Sequence, residues 1–161
     1  MKVPSEFGID DAALTNVSVP SDLRSVREPE ARLITGLRRC GYDDDTIFAI
    51  KLAFEEAVTN AIKHGNCNDP AKRVHLRYYV DVERVVFMVR DEGCGFCPES
   101  VPDPTADENL ERPSGRGLML MNSYMTRVVF SASGNEVWML KLRPPGTGSA
   151  DPETGTPGTA R

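Results

Sequence analysis

Glu56 and Asn60 stand four residues apart in the stretch Glu55-Glu56-Ala57-Val58-Thr59-Asn60-Ala61-Ile62-Lys63-His64-Gly65. At 100° per helical residue they lie about 40° apart on the helix surface, one turn from each other. A carboxylate there can orient or deprotonate a nucleophile. A carboxamide oxygen can bind a hard cation such as Mg²⁺. The pair suits a metal-plus-base site, although a solvated polar face would carry the same two residue types. A second group, Asp91-Glu92-Gly93-Cys94-Gly95, closes an apolar run. A carboxylate at that point can accept a hydrogen bond from an exocyclic amine, and glycines let backbone approach a flat ring closely. A third group, Ser114-Gly115-Arg116-Gly117-Leu118, leads into a helical pattern. Glycine-rich backbone at a helix N-terminus offers N–H groups to phosphate oxygens, and Arg116 or Arg112 can add charge.

The elements that must hold these groups are legible in the periodicity. Leu14, Val17 and Val19 predict a short first strand. Ser21 stands where an N-cap would, and Gly41 where a C′ residue would, around a helix built on Leu33, Ile34 and Leu37. Pro29 falls inside that helix and predicts a kink or a later start. Asp43, Asp44 and Asp45 open a second helix, where carboxylates complement the helix dipole. Its apolar stripe is Ile47, Ile50, Phe54, Ala57, Val58 and Ala61, and it ends near His64-Gly65. Ala49 and Ala53 fall near the Glu56–Asn60 face and would leave room for a ligand.

Two strands follow, one alternating through Val74, Leu76, Tyr78 and Val80, the other the nearly continuous apolar run 84–90. Asp81 to Glu83 joins them as a hairpin. Residues 93–117, rich in Gly and Pro, predict a long loop, and Leu118 to Tyr124 a short helix. Arg127 to Phe130 and Val137 to Leu142 flank the hairpin signal Ser133-Gly134-Asn135. The order predicts an α+β fold, with helices on one face of a mixed, mostly antiparallel sheet.

The chain has 161 residues with a formal net charge of −5, so one domain is expected, and an acidic one. That balance argues against direct nucleic-acid binding, which rests on Lys and Arg neutralising phosphates. No apolar run reaches the about 18 residues of a membrane span, and residues 1–10 lack the apolar core of a secretory signal. A cytoplasmic protein is expected, consistent with four cysteines that need no disulfide framework. Residues 1–10 read as a flexible N-terminus, 11–143 as the folded domain, and 144–161 as a disordered tail too poor in large apolar side chains to fold.

Taken together and in order, the three groups resemble the GHKL ATPase superfamily, which contains gyrase, histidine kinases and MutL. EAVTNAIKHG resembles its N box, DEGCGF its first glycine box and SGRGLMLM its second. Within that superfamily the chain most resembles the bacterial serine-protein kinase anti-sigma factors, over roughly residues 12–143. The resemblance implies a two-layer α/β sandwich of the Bergerat type that binds ATP with Mg²⁺. It implies Glu56 as general base, Asn60 as Mg²⁺ ligand, Asp91 as reader of the adenine amino group, and Gly93 and Gly95 beside the base. It implies that Gly115, Arg116, Gly117 and Leu118 close over the phosphates, with residues 97–114 as an ATP lid. The partners implied are a sigma factor, a STAS-domain antagonist and a second copy of the chain. The family often has Gly-Thr at the last hairpin. This chain has Gly134-Asn135-Glu136, which lacks a hydroxyl that would help hold adenine.

Other readings compete. One keeps the fold and lets ATP gate partner binding without phosphate transfer. Cys94-Gly-Phe-Cys97 has the spacing of a redox pair, though Pro98 follows it directly. His64-x-x-Cys67 with Cys94-x-x-Cys97 has the spacing of a tetrahedral zinc site.

Overall fold

The computed structural model describes residues 2–94 and 113–143, with backbone alone at 113–116. Five strands and three helices follow in the order β1 (Thr15–Pro20), α1 (Leu23–Arg39), α2 (Asp44–Asn60), β2 (Arg73–Val80), β3 (Arg84–Arg90), α3 (Pro113–Tyr124), β4 (Arg127–Phe130) and β5 (Glu136–Leu142). The strands form one sheet in the order β1-β2-β3-β5-β4. Every pairing among the described residues is antiparallel, so the expected α+β layering holds, and the sheet expected to be mixed shows no parallel pair among them.

The run 84–90 is the central strand that its composition predicted. Val85, Phe87 and Val89 join the core beneath the helices, while Val86 and Met88 join a smaller cluster on the opposite face. The two-residue period of a strand divides the run between two apolar environments. Phe54 of α2 meets Phe87 edge to face, ring centroids 5.7 Å apart, at the centre of the helix-side core.

Three expectations need correction. Residues 1–10 were expected to be flexible, yet Phe7 is fully buried against Val86, Met88, Trp138 and Leu140, with Val3 and Ile9 packed beside it. Val3 N–H donates to Asp11 Oδ1 at 3.0 Å, and Arg84 donates to the Phe7 carbonyl at 3.1 Å. One face of the sheet would otherwise expose Trp138, and this segment covers it. The cap of α1 is Asp22, whose carboxylate accepts from the N–H groups of Arg24 and Ser25; Ser21 is buried and occupied elsewhere. The long loop was expected to run to residue 117, but α3 begins at Pro113. Proline at a helix start gives up only an N–H that has no helical partner.

Pro29 lies within a helix that runs unbroken from Leu23 to Arg39, and only the single bond its ring nitrogen cannot donate is forfeited. Gly41 ends that helix at φ +73°, with Gly41 N–H on Arg38 O and Tyr42 N–H on Leu37 O, the paired bonds of a Schellman motif. Arg143, just past β5, stacks on Tyr42 at 4.9 Å and donates to the carbonyls of Cys40, Gly41 and Val82. It ties the α1–α2 turn to the β2–β3 hairpin. No helix among the described residues is long and apolar enough to cross a membrane. The expected tail 144–161 lies outside the described residues.

Candidate functional site

Helix α2 packs between α1 and α3 on the sheet. Asp43 caps it, accepting from Thr46 N–H at 2.7 Å. Beyond Asn60 the helix widens into a π-helical turn, Ala61–Gly65, in which Asn66 N–H reaches back five residues to Ala61 O at 2.7 Å. Widened turns of this kind are found often at functional sites. The turn brings His64 and Gly65 to the end of β3, where Asp91 begins.

A cleft of about 210 Å³ opens there, lined by Asn60, His64, Gly65, Asp91, Leu118, Asn135 and the apolar walls Ala57, Ala61, Val89, Met121, Phe130 and Val137. Sites for whole drug-sized ligands run from about 300 Å³ upward. This cleft therefore suits one flat ring, with any further part of the ligand extending along α2. Room for that ring comes from Ala57 and Ala61. Ala49 and Ala53, expected to provide it, are buried, and Ala53 lies in the core. Neighbours on both sides of α2 bury more of its circumference than one stripe.

Asp91 is buried at the closed end, and Gly93 N–H donates to its Oδ1 at 2.8 Å. Burial pushes its carboxyl above the usual aspartate range, against the opposing pull of the Gly93 hydrogen bond. Backbone crowds the carboxylate. A Cβ on Gly65 would lie 2.2 Å from Asp91 Cγ, and one on Gly93 would lie 1.9 Å from the Gly65 carbonyl oxygen. Only glycine fits at either position. At the hairpin that lacks the family's threonine, Asp91 N–H donates to Asn135 O at 3.0 Å, and the Asn135 side chain donates from Nδ2 to Asp91 O at 3.4 Å. Gly134 makes that turn at φ +68°.

Beside the cleft, next to Asn60 of its lining, Glu56 and Gly117 converge. A Cβ on Gly117 would stand 2.4 Å from Glu56 Oε2 and 3.6 Å from Asn60 Nδ2. The structure therefore joins the carboxylate–carboxamide pair of α2 to the glycine-rich start of α3. Gly115 and Arg116 fall on the first turns of α3, where N–H groups lack helical partners. Leu118 lines the cleft. Gly95, Arg112, Cys97 and most of the expected lid lie outside the described residues.

Residues 19–141 match the histidine kinase-like ATPase domain. The chain belongs to that family. It is 37% identical over 95 residues to an anti-sigma F factor of Geobacillus sp. (strain WCH70), covering 57% of this chain and 64% of that protein. It is 36% identical over 112 residues to the serine-protein kinase RsbW of Bacillus subtilis (strain 168), covering 64% of this chain and 69% of that one. The chain thus spans somewhat under two thirds of the length of the anti-sigma F factor. Its fold is similar to the structure of the RsbU and RsbW domains of Rv1364c from Mycobacterium tuberculosis, with a TM-score of 0.54 at 18% identity over 81% of this chain and 33% of that one.

In this histidine kinase-like ATPase domain, the three stretches singled out by residue type meet around one cleft. Two contributors were given no role of their own by the reading of residue types: Gly65, taken as a helix end and as the last residue of the N-box stretch, and Asn66. Their signal was the run His64-Gly65-Asn66 directly after the helix. No group of three or more His, Cys, Asp or Glu gathers among the described residues, so His64, Cys67 and Cys94 share no metal site there. Cys67 and Cys94 are exposed free thiols.

Proposed function

We propose that this chain is an ATP-dependent serine-protein kinase acting as a cytoplasmic anti-sigma regulatory factor. It phosphorylates a STAS-domain antagonist, sequesters a sigma factor and works as a homodimer. The observation that carries the reading is the convergence of Glu56, Asn60 and Gly117 beside a cleft that Asn60 and Asp91 both line. The relatives, an anti-sigma factor and a serine-protein kinase, support the class of partner and of reaction.

Asp91, an acceptor when ionised, takes the hydrogen bond of the adenine amine. Gly65 and Gly93 keep that carboxylate at the wall of the cleft, and the apolar walls hold the ring. From there the phosphates extend toward the first turns of α3, whose free N–H groups and Arg116 neutralise them. Gly95 lines the base by the same reading. The amide oxygen of Asn60 is a donor that a hard cation takes, so Mg²⁺ fits at Asn60. When bound, Mg²⁺ would neutralise charge on the phosphates.

Glu56 takes the proton from the partner's serine hydroxyl. The serine oxygen bonds to the γ-phosphorus, and the bond from that phosphorus to the bridging oxygen breaks as ADP leaves. Positioning and charge stabilisation carry most of such a transfer.

The test incubates the purified chain with a STAS-domain antagonist, Mg²⁺ and radiolabelled ATP. Label on a serine of the antagonist is the expected result. ATP-dependent binding of the antagonist or a sigma factor with no label transferred would instead make the chain an ATP-gated binding switch.

A further inference from the structure

The Asn66 side chain has no exposure to solvent. Its Oδ1 accepts from Glu92 N–H at 2.8 Å, and its Nδ2 donates to Arg73 O at 2.9 Å and Ser21 Oγ at 3.0 Å. Both of its donors are used, and one carboxamide joins the π-helical turn to the ends of β1 and β3 and the start of β2. Asn66 follows Gly65, whose Cα abuts the Asp91 carboxylate, while Glu92 sits between Asp91 and Gly93. The Asn66–Glu92 bond therefore spans two backbone segments whose close approach sets the closed end of the cleft.

We propose that Asn66 is a positioning residue for nucleotide recognition, which presets Asp91 against Gly65 before any ligand arrives. The proposal rests on the adenine-binding reading of the cleft given above. Without the bond from Oδ1, Glu92 N–H loses its partner and nothing else described holds the Asp91–Gly93 turn to the π-helical turn through a side chain. A buried polar group left without its partner is costly, so the turn would move to find another. Asn66 touches no ligand itself; it acts through Asp91.

Ser21 separates this role from general stability. Ser21→Ala removes one Asn66 bond on the side away from the cleft, whereas Asn66→Ala removes all three. Calorimetry would compare ATP and GTP binding to the wild type and both variants at a temperature where all are folded. The wild type should prefer ATP, Ser21→Ala should keep that preference, and Asn66→Ala should lose about tenfold or more of it. Loss of preference in neither variant, or equally in both, overturns the positioning role. Absence of preference in the wild type would instead overturn the adenine reading.

Amide hydrogen exchange of the wild type covers the case in which Asn66→Ala does not fold. Glu92 is an exposed residue, yet its N–H should exchange slowly without nucleotide and slow little further with ATP. Free exchange of that N–H in the nucleotide-free protein overturns the proposal.

Discussion

Gly117 of α3 stands directly against the carboxylate of Glu56 on α2, so close that a Cβ would come within 2.4 Å of Oε2. The atom in the way is the far end of a flexible side chain, so Gly117→Ala should displace the carboxylate and leave the fold intact. Alanine favours the helix by up to about 1 kcal/mol, which offsets the crowding. The melting temperature should stay near that of the wild type, while phosphate transfer falls about a hundredfold through misplacement of the base. Unchanged transfer would show that the position of Glu56 does not matter.

Asp91 answers to pH. Burial raises its carboxyl above the ordinary value of 3.8, so in the interval just above that value the folded protein holds a proton that the unfolded chain has released. Ionised Asp91 therefore weakens folding at neutral pH, and acidification through the raised pKa relieves that cost. Binding has the opposite sign, because the protonated acid no longer offers two acceptors to an amine. Adenosine, which has no phosphates to titrate, should bind less well as the pH falls through that interval. Asp91→Asn should bind adenosine about tenfold or more weakly at neutral pH and lose this pH dependence. A wild type whose adenosine affinity is flat across the interval would remove Asp91 from base recognition.

The N-terminal segment is part of the fold. Phe7→Ala opens a cavity beside Trp138 and should cost about 3–5 kcal/mol in urea unfolding. A loss below about 1 kcal/mol would mean that the segment does not pack on the sheet in solution.

Periodicity revealed what local chemistry determines. The apolar run of β3, the hairpin at Gly134 and the extent of α2 each follow from neighbours in sequence, and two of the three chemical groups fell on the elements expected of them, while the third lies inside α3 rather than in the loop before it. What stayed hidden depends on contacts distant in sequence. The N-terminal ten residues read as flexible because most of the face that Phe7 covers, Val86, Met88, Trp138 and Leu140, is distant in sequence. Ser21 resembled an N-cap until its hydroxyl was claimed by Asn66, 45 residues away. Ala57 and Ala61 read as core because a helical stripe does not say which part of it meets the sheet and which an open cleft. Gly65 carries no side chain to read, and its need to be glycine appears only when Asp91 lies against it.

The central claim is that Glu56 is the base of a phosphoryl transfer. Glu56→Gln keeps the size of the side chain and removes the base, and Glu55→Gln is its control. Glu55 is exposed, and its carboxylate lies 3.6 Å from Lys51 Nζ, away from the cleft. The decisive measurement is the initial rate of serine phosphorylation of a STAS-domain antagonist, with ATP affinity measured alongside by calorimetry. Glu56→Gln should bind ATP within a few-fold of the wild type and transfer phosphate about a hundredfold more slowly or worse, since a general base contributes about 10²–10⁴-fold. Glu55→Gln should transfer at nearly the wild-type rate. Transfer by Glu56→Gln at the wild-type rate would contradict the account.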